Sequence, residues 1–155
     1  LVFAAMFAAI AAVATMVLAI PIPNFAGAYI NLGDTVVYAG AFVLGGPLGA
    51  LAAGIGSAIA DLMLGSGLYA PATFVIKGCM ALIAGLLFQK GWKVFPALLA
   101  AGLVMPLGYF LYETALYGAA TAATGVPFNL IQYAGGVLLG GFVVRTVAHL
   151  MKREG

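Results

Sequence analysis

The sequence predicts an all-α integral membrane protein: one domain over residues 1–155, built as a compact bundle of six transmembrane helices with both termini in the cytoplasm. Three observations predict it. Of 155 residues, 65% are hydrophobic and 6% charged, against about 45–50% apolar and about 25% charged in a soluble domain, so the chain cannot cover a globule with polar surface. A helix needs about 20 residues to cross roughly 30 Å of hydrocarbon, and proline and glycine punctuation divides the chain into six apolar runs. The basic residues between and after those runs then fall on one side of the membrane. Within these residues six spans leave no room for an ATPase or a soluble catalytic module. A net charge of +2 gives no footing for nucleic acid. The lone Cys79 forms no internal disulfide, and no cofactor or metal is expected.

The first span, 1–20, stops at Pro21-Ile22-Pro23-Asn24, because proline removes an amide donor and fixes φ. It lacks a basic leading segment and exceeds the apolar core of about 7–15 residues found in secretory signals, so it reads as a span. Because it opens on Leu1, an earlier start is expected. A connection of mixed polarity, 21–33, leads to a short second span, 34–44, with Asp34 at the positive end of the helix dipole. Gly45-Gly46-Pro47 introduces the third span, 48–64, and Gly65-Ser66-Gly67 the fourth, 71–88. Beyond a basic turn, Gln89 to Lys93, the fifth span covers 95–117, and Pro106 is expected to kink it. A loop, 118–126, precedes the sixth span, 127–150, which runs into a basic tail.

Lys90 and Lys93 follow the fourth span, and Arg145, Lys152 and Arg153 end the sixth. With six spans these five share one side, and the positive-inside rule makes that side cytoplasmic. The remaining charges sit at the other end. Asp34 opens the second span; Asp61 lies about one turn from the end of the third; Lys77 lies roughly 9 Å into the fourth; Glu113 lies about one turn from the end of the fifth. Asn129 and Gln132 begin the sixth. Charges within a membrane cost about 2.5–3.5 kcal/mol each on insertion scales and face bundle interiors or wet cavities. Confined to one leaflet, they imply a polar cavity open to the exterior. Helical spacing agrees: Thr73 and Lys77 are i, i+4; Tyr109, Tyr112 and Glu113 are i, i+3, i+4, and Asn129, Gln132 and Tyr133 repeat that pattern.

Each residue also has a packing reading. Lys77 with Asp61 or Glu113 can be a buried ion pair that fixes helix packing, Asp34 a helix cap, and the three tyrosines an interfacial aromatic belt. Ala4, Ala8 and Ala12 form a flat ridge at i, i+4, i+8 in the first span, which admits another helix closely, from this chain or from a partner.

Several separated motifs resemble those of the substrate-binding S components of energy-coupling factor (ECF) vitamin transporters. They are Tyr29-Ile30-Asn31-Leu32-Gly33-Asp34, Leu44 to Ala50 (LGGPLGA), Gly54 to Leu62 (GIGSAIADL) and Tyr69 to Gly78 (YAPATFVIKG). Gly108 to Glu113 (GYFLYE) and Asn129-Leu130-Ile131-Gln132 follow the same pattern. The similarity extends over residues 4–140 and is greatest to the riboflavin-type group, which includes hydroxymethylpyrimidine and pyridoxine-like members. It implies six helices that capture a vitamin from outside under a lid formed by the first loop. It also implies docking of Ala4, Ala8 and Ala12, within one residue of register, on a membrane coupling subunit of the EcfT type driven by two cytoplasmic ATPases.

On this reading the chain is no enzyme. Asn31, Asp34, Asp61, Thr73, Lys77, Tyr109, Tyr112, Glu113, Asn129, Gln132 and Tyr133 bind a small heteroaromatic vitamin or precursor in the cell membrane of a prokaryote. Three outer acids against one lysine favour a neutral or cationic pyrimidine or pyridine alcohol over riboflavin. Two rivals remain. Gly54-Ile55-Gly56-Ser57-Ala58 faintly resembles an intramembrane serine hydrolase motif, but His149 is expected at the opposite end of the membrane, beyond reach of Ser57. A small channel or secondary carrier lacks the paired interrupted helices such proteins use.

Overall fold

Proline-21 and the backbone around it decide the first departure from an all-helical chain. In the computed structural model, which describes residues 1–17, 19–23 and 25–153, helix α1 (Val2–Val17) ends short of the proline, and strands β1 (Ile20–Pro21) and β2 (Tyr29–Ile30) form a minimal antiparallel hairpin. Ile20 pairs with Ile30 and Pro21 with Tyr29. Leu18, expected in the first span, and Asn24, expected in the following connection, lie outside the described residues, as do the side chains of Lys152 and Arg153. The remaining elements are helices α2 (Gly33–Leu44), α3 (Gly46–Met63), α4 (Ala70–Gln89), α5 (Val94–Gly102), α6 (Val104–Tyr117) and α7 (Ala119–Arg153).

Most expected boundaries agree within two residues, and two expectations need correction. The kink assigned to Pro106 appears earlier, as a break at Leu103 between α5 and α6. Proline has no N–H to offer the carbonyl four residues back, and its ring crowds that carbonyl, so the helical ladder opens one turn ahead of it. The loop expected at 118–126 is helical. Gly118, at φ +85°, makes the turn alone, and the alanine-rich run after it begins α7 at Ala119. Pro127 is carried inside that helix. At 35 residues α7 is roughly 52 Å long, well beyond the hydrocarbon thickness.

Helices α3, α4 and α7 and the consecutive α5–α6 pair are long and apolar enough to cross a membrane; α1 and α2 are apolar but shorter. Helix α3 packs most extensively against α4 and next against α1, while α7 closes the bundle against α2 and α6. Glycines set the close approaches. A Cβ on Gly85 of α4 would lie 2.6 Å from the Cα of Gly46, and one on Gly49 would lie 2.9 Å from the Cα of Ala41, so these helices touch backbone to backbone as small residues permit in membranes. The dry core joins Val37 and Tyr38 of α2, Met80 and Ala84 of α4, Leu98 and Met105 of α5 and α6, and Val137 and Val144 of α7. Above it, Ile22 and Phe25 of the first connection pack with Ala28 and Tyr69.

Candidate ligand-binding site

The site begins where α2, α4 and α7 start and α3 and α6 finish. Asp34, in the first turn of α2, is 1% exposed and forms an ion pair with Lys77 of α4. The pair expected for Lys77 with Asp61 or Glu113 is therefore made with Asp34 instead. Asp34 is not a helix cap either: Leu32 holds the cap position without a side-chain bond, and both Asp34 oxygens serve other helices. Its Oδ2 accepts from Gln132 Nε2 at 2.9 Å, and Gln132 Oε1 accepts the Asn31 backbone N–H at 3.0 Å. Asn31 Oδ1 in turn accepts the Gly33 N–H at 2.8 Å. Three helices and the foot of the hairpin are thus joined by one buried network. Gly136 makes this possible, since a Cβ there would lie 2.9 Å from the Asp34 Cβ.

Over this base lies a narrow slot rather than an open chamber. Thr73 and Tyr109 join their hydroxyls across it at 2.9 Å, and the Lys77 ammonium lies 5.8 Å from the centre of the Tyr109 ring. The hairpin roofs the slot through Ile22 and Gly27 to Tyr29. Tyr29 donates its hydroxyl to Asp61 Oδ1; burial, with the Asp61 carboxylate beside it, pushes the Tyr29 phenol well above its ordinary pKa, so it stays a donor. Gly27, at φ +87°, brings its backbone against Ser66 in the α3–α4 turn. Phe25 meets Tyr117 edge to face at 5.9 Å. On the far wall Tyr69 reaches Glu113 Oε1 at a long 3.4 Å.

Over residues 1–149 the sequence matches the family described as ECF-type riboflavin transporter, S component. The chain belongs to that family. It is also 37% identical over 133 residues to an uncharacterized protein of Pyrococcus woesei, covering 83% of this chain and 88% of that one. It is 31% identical over 135 residues to the thiamine precursor transporter HmpT of Lactococcus lactis subsp. cremoris (strain MG1363), covering 87% and 76% respectively. This is a multi-pass membrane protein and a transporter S component, not an enzyme. His149 lies roughly 25 Å along α7 from Gln132 at 1.5 Å per residue, so Ser57, in the slot wall, has no imidazole within reach.

In this S component eight of the residues singled out from sequence line the slot: Asn31, Asp61, Thr73, Lys77, Tyr109, Glu113, Asn129 and Gln132. Asp34 stands behind Lys77 instead of in the wall. Tyr112 and Tyr133 turn elsewhere. Tyr112 donates to the Leu68 carbonyl and packs against Tyr69 at 5.6 Å, while Tyr133 donates to the Leu99 carbonyl at 2.9 Å. Positions i+3 and i+4 are roughly 100° apart around a helix. The slot is narrower than that arc, so it takes Tyr109 with Glu113 on α6 and Asn129 with Gln132 on α7.

Sequence reasoning missed Thr15, Tyr29, Ser57 and Tyr69 in the wall. Two of them carried a signal: Tyr69, Thr73 and Lys77 run at i, i+4, i+8, and Ser57 precedes Asp61 by four. The alanine ridge of α1 faces partly inward. Ala12 is buried within the bundle, while Ala4 and Ala8 are half-buried, Ala8 with its backbone carbonyl against Gly56 of α3. The outward face of α1 carries Met6, Ile10, Val13 and Val17, with Ala5 and Ala9 between them.

Proposed function

We propose that this S component captures a small water-soluble vitamin or vitamin precursor from outside the cell, for delivery by an ATP-driven ECF importer in a prokaryotic cytoplasmic membrane. The ligand is a compact heteroaromatic, with hydroxymethylpyrimidine or pyridoxine-like compounds favoured and riboflavin next. The family and the thiamine precursor transporter relative support this class. The observation that carries the reading is the buried polar slot, placed at the end of the bundle opposite Lys90, Lys93 and Arg145. Six spans with both termini cytoplasmic, the α5–α6 pair counting as one, open that slot to the exterior. The hairpin then acts as a lid: its roof residues close over the ligand, and buried polar groups meet the ligand in place of water.

Coupling requires a surface for the membrane subunit. The exposed face of α1 serves, with Ala5 and Ala9 as its small residues in place of Ala4, Ala8 and Ala12. Two ATPases on the cytoplasmic side tilt the loaded protein to release its ligand inward. The test is purified protein with and without the energising subunits. A small molecule copurifies from rich medium and is identified by mass spectrometry; liposomes holding this chain alone accumulate none of it. Uptake by the chain alone would overturn the reading in favour of a secondary carrier.

A further inference from the structure

Helix α1 brings one hydroxyl to the slot and leaves it without a partner. Among the described residues Thr15 is the part of α1 that lines the slot, and it is 3% exposed. Its Oγ1 is buried and meets no donor or acceptor. A helical threonine can bond back to its own backbone, as Thr146 does to the Phe142 carbonyl at 3.0 Å and Thr124 to the Thr121 carbonyl at 2.8 Å. Thr15 makes no such bond, and the donors beside it are engaged. Gly33 lies so close that a Cβ there would collide with the Thr15 hydroxyl. Yet the Gly33 N–H goes to Asn31 Oδ1, the Asn31 N–H to Gln132 Oε1, and the Gln132 amide to Asp34. The network beneath the slot is thus closed without Thr15. Because a buried polar group left unpaired is costly, this hydroxyl calls for a partner inside the slot.

Thr15 also stands where α1 has two faces. Val13 and Val17, the second residue to either side and therefore roughly 200° around the helix, are 55% and 75% exposed. They belong to the outward face assigned above to the membrane coupling subunit. We propose, resting on the receptor reading above, that the Thr15 hydroxyl bonds a polar atom of the ligand and so makes the last turn of α1 report occupancy to that face. With the slot empty, α1 is held by its packing against α3 and α2. With the slot filled, a hydrogen bond fixes Thr15 as well, and the positions of Val13 and Val17 follow it. A hydroxyl both donates and accepts, so this contact makes no demand on the charge of the ligand.

The full chain, purified in detergent, is titrated calorimetrically with 4-amino-5-hydroxymethyl-2-methylpyrimidine or, if that does not bind, with the molecule it releases on denaturation after growth in rich medium. Thr15→Val, which keeps the shape and removes the hydroxyl, binds about threefold to tenfold more weakly, while Thr15→Ser binds as the unaltered chain does. Without ligand Thr15→Val melts no lower, because a methyl replaces an unpaired hydroxyl. Amide hydrogen exchange supplies a readout that packing alone would not move. Saturating ligand slows exchange over residues 12–17 in the unaltered chain and in Thr15→Ser but not in Thr15→Val, although exchange in α4 and α7 slows in all three. Unchanged affinity in Thr15→Val, or equal slowing over 12–17 in that variant, overturns the proposal and leaves the receptor reading intact. Should Thr15→Val fail to fold, the unaltered chain decides: slowed exchange over 12–17 on binding supports the proposal, and unchanged exchange there overturns it. A chain that binds no probe and releases no molecule overturns the receptor reading, and this proposal with it.

Discussion

Helices α2, α4, α6 and α7 each contribute to two differently built regions, the core around Met80, Leu98, Met105, Val137 and Val144 and the polar slot of Lys77, Asp61 and Glu113 with its foundation at Asp34. In the core, small and large apolar side chains interdigitate, and glycines such as Gly85 let backbones meet. In the slot the same helices are held by an ion pair and a chain of hydrogen bonds through Gln132 and Asn31. The solvent explains the contrast. Lipid tails are as apolar as leucine, so the core gains only packing over its surroundings, whereas a polar group in hydrocarbon must find a partner or a cavity. Removing one side chain should therefore cost more in the slot's foundation than in the core.

The largest effect is expected for Lys77→Met, which leaves Asp34 buried beside no cation. Breaking a buried pair from one side costs about 3–5 kcal/mol, read as a lowered melting temperature in detergent. Adding Asp34→Asn should restore most of it; if the double variant melts as low as Lys77→Met, the pair is not what Lys77 contributes. Leu98→Ala comes next. Because its unfolded reference is already in an apolar medium, the loss falls at the low end of core truncations, about 2 kcal/mol, and ligand affinity should not change. A greater loss than for Lys77→Met would reverse the comparison.

Tyr29→Phe removes the hairpin's hydroxyl from Asp61 and should cost about 1 kcal/mol of lid closure. Stopped-flow or surface-based kinetics should show this as faster ligand release with little change in melting. Unchanged release would mean that the hairpin does not close through Asp61. The smallest effect is expected for Tyr133→Phe, which frees the Leu99 carbonyl at an exposed position and should cost about 0.5–1 kcal/mol of stability, with ligand affinity unaltered. A loss of affinity there would place Tyr133 in the site after all.

Polar residues were legible one by one, because in a chain with 6% charged residues each intramembrane charge stands out. Their partners were not. Asp61 and Glu113 are both plausible along the sequence as counterions of Lys77, and only the packing of α2 against α4 gives that place to Asp34. Proline and glycine were read as breakers with partial success, since a membrane helix can carry Pro127 and Gly125 when neighbours use the space. Gly125 does so, lying where a Cβ would crowd Glu113 Oε2 at 3.0 Å and Phe25 at 3.1 Å.

Composition and punctuation by themselves determined that the chain is a membrane-embedded helical bundle whose intramembrane charges gather near one end, because hydrocarbon tolerates neither exposed backbone nor scattered charge. Tertiary structure alone decided which half of each polar helical face lines the slot, which acid neutralises Lys77, and that Ala12 of the α1 ridge turns inward. Those outcomes depend on how neighbouring helices rotate and approach one another, and no local pattern records that.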